Sequence, residues 1–399
     1  MKYVVVLGDG MSDEPIEELC GKTPLEYAQT PIIDQLAQVS EIGLSKTVPD
    51  DMKPGSDVAN LAVLGYNPKK YYSGRSPLEA LSIGVDLKDT DIAIRTNIVT
   101  ISDDDKPFEE KTIIDHSSSE ISTEEAKILL EAVQSQIETE EYKFYLGTSY
   151  RHLCIWDRGN VIDLVQPHDV LEQTIGQYLP SHKPFVDMMK KSYEILNNHP
   201  INIERAKKGL NKANCFWFWG AGTKPSLDSF EKLRNVKGAM ISAVDLLKGI
   251  ANGADMININ VEGANATLET NYEGKAYAAV KAITEDDYDF VYVHVEAPDE
   301  MGHQGSLEKK IKAIENLDQR VIKIIVEELQ KKNIEYRMLI MPDHPTPIRC
   351  RTHTSDPVPY MLYDNTNKVL NGLNYNEKDA LKSGNYIEEG YRTIEKLLR

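Results

Sequence analysis

Cysteine is scarce: Cys20, Cys154, Cys215 and Cys350 are the only four in 399 residues, and no two form a C-x-x-C pair. That excludes a disulfide scaffold and a zinc knuckle, and the thiols read as free. Long apolar runs are missing too. After Met1-Lys2 the first run extends only from Tyr3 to Leu7 before Gly8-Asp9-Gly10 interrupts it, too short for a signal-peptide core or a membrane span, so a cytoplasmic protein with no membrane partner is expected. Positive charge is in deficit, with 45 Lys and Arg against 63 Asp and Glu and a formal net charge of −18. Such a chain lacks the basic footprint that a nucleic-acid partner requires, although local basic residues can still hold a small anion. A G-x-x-x-x-G-K-[ST] nucleotide loop is absent as well.

What is present is an ordinary globular balance of 41% hydrophobic and 27% charged residues, with enough chain for about two to three domains. Buried-strand runs alternate with helix patterns. YVVVL (Tyr3 to Leu7), DMININV, DFVYVHVEA and YRMLIMP read as strands, and TPIIDQLAQV carries Ile32, Ile33, Leu36 and Val39 at helical spacing. KKIKAIENLDQRVIKIIVEELQKK reads as one long helix with a packing stripe through Ile311, Ile314, Leu317, Val321, Ile324, Ile325 and Leu329. The pattern predicts an α/β fold with a mostly parallel sheet flanked by helices. From about Tyr71 to Asn235 the texture changes: IAIRTNIVTI, YKFYLGTSY, RHLCIW and ANCFWFWG are strand-like, and ISDDDKPFEEK reads as a hairpin or loop. A smaller α+β domain inserted at 71–236 is expected, between core segments 1–70 and 237–399.

The segment MKPGSDVANLAVLGY places Ser56 after Pro54-Gly55 and before an amphipathic run. Ser is a preferred N-cap, and a hydroxyl at a helix N-terminus is equally well placed as a nucleophile, because unpaired N–H groups there favour an anionic product. The predicted strand ends supply possible partners. VVVLGDG delivers Asp9, HVEAPDEMGH delivers Asp299 and His303, MLIMPDHPTP delivers Asp343 and His344, and RTHTSDPVP delivers His353. Ligands of open α/β sheets collect at the carboxyl ends of the strands. Asp299 and His303, four apart, share one helix face and can grip one cation. Mixed carboxylate and imidazole donors suit Mn or Zn and also admit Mg. Two such metals about 4 Å apart clamp the attacking and leaving oxygens of a phosphoryl transfer.

GDG, PGSDVAN, HVEAPDEMGHQG, PDHPTP and THTSDPVP together resemble the archaeal type of cofactor-independent phosphoglycerate mutases within the alkaline phosphatase superfamily. SGRSPLEALSIGVDL, FWFWGAGTKP, ISAVDLLKGI and TNYEGKA extend the likeness over nearly the whole chain. The resemblance implies an alkaline-phosphatase-like core with a lid-like insert and Ser56 as the phosphoryl acceptor. It also implies two divalent metal ions, one held by Asp299, His303 and His353, the other by Asp9, Ser56, Asp343 and His344. The implied partner is a small phosphorylated substrate, and the implied reaction interconverts 3-phosphoglycerate and 2-phosphoglycerate through a phosphoserine. Candidate holders of the substrate's anionic groups are Arg75, Arg95, Arg151, His152, Lys224 and Lys248, with Lys275 a weaker rival. One stretch departs from the family pattern: where an arginine-rich segment is usual, the chain reads IIDHSSSEIS, with Asp115, His116 and Glu120. Because SYRHL and STEEA are similar to homoserine kinases that share this metal core, a kinase of that kind is the alternative, followed by a phosphomonoesterase and a noncatalytic metal-binding relative.

Overall fold

The computed structural model describes all residues from Met1 to Arg399. Its contacts divide the chain into two compact units, Met1–Tyr72 with Ser226–Arg399, and Ser73–Pro225.

The first unit is built on an eight-stranded sheet. Lys2–Gly8 lies at its centre, parallel to Phe290–Val295 on one side and to Tyr336–Met341 on the other. Gly238–Ile241 and then Ile257–Asn258 continue the parallel array beyond Phe290–Val295. On the other flank Val358–Asp364 runs antiparallel and pairs with Glu41–Ser45. The central strands are fully buried Val, Ile, Met and Tyr runs because helices cover both faces. DMININV contributes only Ile257–Asn258, a short edge pairing with Ile257 exposed. Register then does the positioning: Leu7 stands beside both His294 and Met341, so the residues that follow these three strands emerge at one carboxyl edge.

The long helix expected after Phe290–Val295 is interrupted. Leu307–Leu317 and Lys323–Lys331 are joined by a π turn over Asp318–Ile322. Asp318 is buried there and accepts the N–H groups of Ile33 at 2.7 Å and Ile32 at 3.3 Å, in the first turn of the Pro31–Ala37 helix. A carboxylate facing a helix N-terminus satisfies donors that have no intrahelical partner.

The second unit is an antiparallel sheet backed by helices. Ile92–Ile101 is its central strand, between Arg151–Trp156 and Cys215–Thr223. Tyr142–Tyr145 extends the sheet beyond Arg151–Trp156, and ISDDDKPFEEK connects Ile92–Ile101 to its partner Ile113–Asp115. Thr123–Ile137 and Lys183–Leu196 bury Leu129, Leu130, Val133, Phe185 and Met189 in a core shared with Phe144, Phe216 and Phe218.

Candidate active site

Asp9 follows the Lys2–Gly8 strand, and the turn behind it depends on Gly10, which has φ of +57°. A Cβ at Gly10 would collide with Thr346 Oγ1 and with Asp299, so this position of GDG needs glycine for both conformation and space. Asp343 and His344 leave the Tyr336–Met341 strand and are completely buried. Asp343 Oδ1 accepts the N–H of Gly10 at 3.2 Å and of His344 at 2.9 Å, while Oδ2 accepts from Asn60 Nδ2 at 2.7 Å. Asn60 is oriented in turn by the Tyr292 hydroxyl, which donates to its Oδ1 at 2.5 Å.

Ser56 opens the Ser56–Val63 helix, and Gly55, not Ser56, is its N-cap, with no side-chain capping bond. The capping expectation is therefore corrected. The Ser56 hydroxyl is instead 3.0 Å from His344 Nε2, a contact between residues 288 apart that no local pattern announces. His344 Nε2 is also 3.3 Å from Asp343 Oδ2 and 3.7 Å from Asp9 Oδ1, so Asp9, Asp343 and His344 converge.

Asp299 and His303 lie on the Ala297–His303 helix. His303 donates from Nδ1 to the Arg351 carbonyl at 2.9 Å, which turns Nε2 toward Asp299 at 3.2 Å and toward His353 Nε2 at 3.0 Å. His353 Nε2 is 3.5 Å from Asp299 Oδ1, and the Thr346 hydroxyl donates to that same oxygen at 2.5 Å. The His353 ring lies 4.0 Å from the His344 ring, centroid to centroid. Ligand atoms within 4.8 Å of one another form two groups, Asp9–Asp343–His344 and Asp299–His344–His353. His344 borders both, whereas the family pattern assigns it to the first alone.

The charges bear on what this cluster can hold. Burial, followed by the proximity of Asp343 and Asp299, raises the Asp9 carboxyl well above its ordinary range. Burial also opposes the Asp299 charge, but hydrogen bonds from His303 and His353 overcome it and hold that carboxyl well below its usual value. His303 is pushed up to about 9, its bond to Asp299 outweighing burial, whereas burial lowers His344. Asp9 Oδ1 is buried with no hydrogen-bond partner. An orphaned carboxylate oxygen among acids and imidazoles is costly by itself and is a fitting donor for a divalent cation.

The proposed substrate holders divide. On the second unit, Glu79 Oε1 accepts from Arg75 Nε at 3.1 Å and pairs with Arg95 Nη1 at 3.1 Å. Burial, against Glu79, lowers Arg95 to about 10, and Arg75 and Arg151 add repulsion. Two guanidiniums thus contact one partly buried carboxylate with Arg151 in its field, three positive charges against one negative. Arg95 also lies 4.6 Å from the Trp219 ring centroid, and its Nε is buried without a partner. His152 is not brought to this group: it pairs with Thr96, whereas Arg95 faces Leu153 and Asn97 faces Arg151, so the two-residue alternation puts His152 on the opposite face of the sheet. Lys224 is 3.9 Å from Asp89, and Lys248, on the first unit, is 3.9 Å from Asp245. Lys275 is fully buried against Glu296 and the His294 carbonyl, which removes it as an anion holder. Sequence reasoning missed Asn60, Tyr292, His294 and Thr346. Asn60 had one signal, its i+4 spacing from Ser56 on the same helix.

The parallel sheet, its acidic and imidazole carboxyl edge and the serine beside it define the class, an α/β protein with a candidate metal centre and a hydroxyl at hand. A family model described as 2,3-bisphosphoglycerate-independent phosphoglycerate mutase matches residues 37–202, and one described as type I phosphodiesterase / nucleotide pyrophosphatase matches 175–347. A probable 2,3-bisphosphoglycerate-independent phosphoglycerate mutase of Geobacter sulfurreducens is 46% identical, with 100% of both chains covered. The Methanosarcina barkeri 2,3-bisphosphoglycerate-independent phosphoglycerate mutase is 46% identical over 96% of each chain. Among solved structures, a Pyrococcus horikoshii protein superposes with a TM-score of 0.82 at 29% identity, covering 100% of this chain and 96% of that one. The chain belongs to the 2,3-bisphosphoglycerate-independent phosphoglycerate mutase family, which is metal-dependent. No helix is long and apolar enough to cross a membrane.

Proposed function

We propose that the chain interconverts 3-phosphoglycerate and 2-phosphoglycerate without 2,3-bisphosphoglycerate, through a phosphoserine at Ser56. The observation that carries this reading is the Ser56 hydroxyl at the start of a helix, 3.0 Å from His344 Nε2, beside a cluster of acids and imidazoles in which Asp9 Oδ1 is buried without a hydrogen-bond partner, in a chain 46% identical to relatives named for that reaction. Two divalent cations are the proposed cofactors, Mn, Mg or Zn. Asp299, His303 and His353 hold one and Asp9, Asp343, His344 and Ser56 the other, with His344 at the border. When bound, such ions lower the pKa of a coordinated hydroxyl and neutralise phosphoryl oxygens.

The chain's own residues supply the rest. The Ser56 oxygen bonds to phosphorus as the bond from phosphorus to the C3 oxygen of the substrate breaks, the proton lost by the serine being matched by the one the departing glycerate oxygen takes up. The glycerate then turns, its 2-hydroxyl gives up a proton and takes the phosphoryl group back, and Ser56 regains its hydrogen. The N–H groups at the helix start stabilise the charge of the phosphoserine. Asn60 fixes Asp343 and the Ser56 carbonyl together, at 2.7 and 2.9 Å, which keeps nucleophile and ligand in register. Arg75, Arg95 and Arg151 are the proposed holders of the substrate's anionic groups, since guanidinium pairs bidentately with carboxylate and phosphate.

Purified protein with Mn should turn 3-phosphoglycerate into 2-phosphoglycerate without ATP, and mass spectrometry of trapped enzyme should place phosphate on Ser56. Phosphate on a histidine would remove the serine intermediate from the reading. Inert 3-phosphoglycerate together with ATP consumption in the presence of homoserine would replace the mutase with the kinase.

A further inference from the structure

Behind Asp9 stands a buried polar chain that the phosphoryl-transfer reading does not use. His294 lies in the Phe290–Val295 strand, beside Leu7 in register, and is fully buried. Its Nε2 is 3.0 Å from Asp9 Oδ2. Its Nδ1 is 3.1 Å from both Ser242 Oγ and Glu296 Oε1. Glu296 Oε1 accepts the Ala243 N–H at 2.7 Å, and its Oε2 accepts from Lys275 Nζ. Lys275 also donates to the His294 carbonyl at 2.8 Å. Asp9, His294, Glu296 and Lys275 are all at least nine-tenths buried.

We propose that His294 is a positioning residue for the Asp9 metal site: by engaging Oδ2 it fixes the carboxylate so that Oδ1 is the oxygen presented to the cation. The proposal rests on the reading of Asp9 as a ligand. Its geometric basis is an asymmetry. One Asp9 oxygen is tied to an imidazole that is itself anchored at its second nitrogen, while the other is buried, unpartnered and 3.7 Å from His344 Nε2. A carboxylate free to rotate in a polar pocket would offer either oxygen, or both. Held from behind, it offers one. The Glu296–Lys275 pair gives the imidazole a fixed support without adding net charge behind the site. Partners that orient a ligand in this way typically contribute ten- to a hundredfold in metal affinity. A core histidine that merely fills space would contribute none.

Two near-isosteric substitutions separate the two roles. His294→Gln sets an amide N–H near the place of Nε2 and keeps the bond to Asp9. His294→Asn sets one near Nδ1 and keeps only the support side. Calorimetric titration of Mn(II) into metal-free full-length protein reads each site directly, with melting of the metal-free variants as the check on folding. The expected result is two sites in the wild type, one of them weakened about ten- to a hundredfold by His294→Asn and restored to within about threefold by His294→Gln, while the other site keeps its affinity in both. Equal affinities in the two variants at both sites, or equal weakening of both sites by His294→Asn, overturns the proposal. A wild type that binds no cation through Asp9, with Asp9→Asn leaving Mn binding unchanged, overturns the reading of the centre and this proposal with it.

Discussion

Lys275→Met tests whether the chain behind Asp9 is a balanced charge pair. Lys275 is fully buried, and Glu296 is 2% exposed. Met matches the stem of the lysine but leaves Glu296 facing burial without its cation. The magnitude follows from the structure. Burial alone would raise the Glu296 carboxyl, yet Lys275 first and His294 next bring it from 4.5 to about 2. At about 1.4 kcal/mol per tenfold change in acidity this is about 3 kcal/mol of net favourable interaction with Lys275 and His294 together, and deleting one partner of a buried pair costs roughly 3–5 kcal/mol, so about 3 kcal/mol is expected for the variant. At about 2–4 °C per kcal/mol for a unit of this size, the metal-free protein should melt about 6–12 °C lower. The sign of the pH dependence is set by the depressed carboxyl. Its contribution is fully present above about pH 4.5 and is lost as pH falls through about 2. The deficit of the variant should therefore be full at neutral pH and close progressively below about pH 4.5. Denaturant melts of both proteins at several pH values measure it, and adding Glu296→Gln to Lys275→Met should recover much of the loss. A fall in Tm under about 2 °C at neutral pH, or a deficit that does not close in acid, would refute the reasoning.

The other predictions are shorter. Ser56→Ala should abolish turnover yet lower Tm by no more than about 3 °C, since the hydroxyl caps nothing and makes one hydrogen bond; steady-state assay and calorimetry check both. Because His303 in the metal-free protein is pushed up to about 9, the cation must displace a proton at neutral pH. Metal affinity should then rise with pH toward 9, and calorimetry in buffers of different ionisation enthalpy should detect the released proton. Asn60→Ala removes the donor to Asp343 Oδ2 and should weaken one Mn site about tenfold or more, read by the same titration. Arg95→Met should reduce kcat/KM by roughly 10- to 100-fold through loss of a charged contact to the substrate, with the far-ultraviolet spectrum unchanged.

The clustering of Asp9, Asp299, Asp343, His344 and His353 was legible in the sequence because apolar strand runs end in acids and histidines, and a parallel sheet brings its carboxyl ends to one edge. Asp299 and His303 were legible from their i, i+4 spacing, and the structure puts them on one short helix. Ser56 was legible as a helix-start residue but not as N1, because capping and first-turn positions differ by a single residue and the arbiter, His344, is remote in the chain. Asn60 and Tyr292 join the cluster only through the tertiary fold, which sets the Ser56–Val63 helix against Asp343 and the Tyr292 hydroxyl against Asn60. His294 had no usable signal, since a lone histidine in an apolar strand reads as core. His152 is the instructive case, because its own strand contained the answer. Adjacent residues of a strand point to opposite faces, so Arg151 and His152 of SYRHL were never able to serve one pocket.

The geometry of IIDHSSSEIS bears on the kinase alternative. Ser118, Ser119 and Glu120 have φ of +50°, +55° and +49°, three consecutive left-handed residues without glycine, at a cost of roughly 1–2 kcal/mol each. Such a turn persists only where its surroundings over-determine it. Asp115 does most of that. Its Oδ1 accepts the Ser117 N–H at 2.8 Å and the Ser117 hydroxyl at 2.9 Å, and its Oδ2 accepts the Ser119 N–H at 2.6 Å and Asn211 Nδ2 at 2.9 Å. Arg205 donates to the Ser118 carbonyl and pairs with Glu125, and the Ser118 hydroxyl donates to the Ile98 carbonyl at 3.0 Å. Both oxygens of Asp115 are thus committed within the turn, and burial fails to raise its carboxyl because these bonds hold it below its usual value. An acid consumed in this way has no acceptor left for a substrate ammonium or hydroxyl. The turn instead fixes His116, whose ring lies 4.3 Å from His168 and 5.8 Å from Tyr150, and Tyr150 is in the field of Arg151 and Arg95. The turn is thus a braced support beside the face that carries Arg95 and Arg151, and Asp115 gives no chemical reason to prefer an amino-acid substrate over a phosphorylated hydroxy acid.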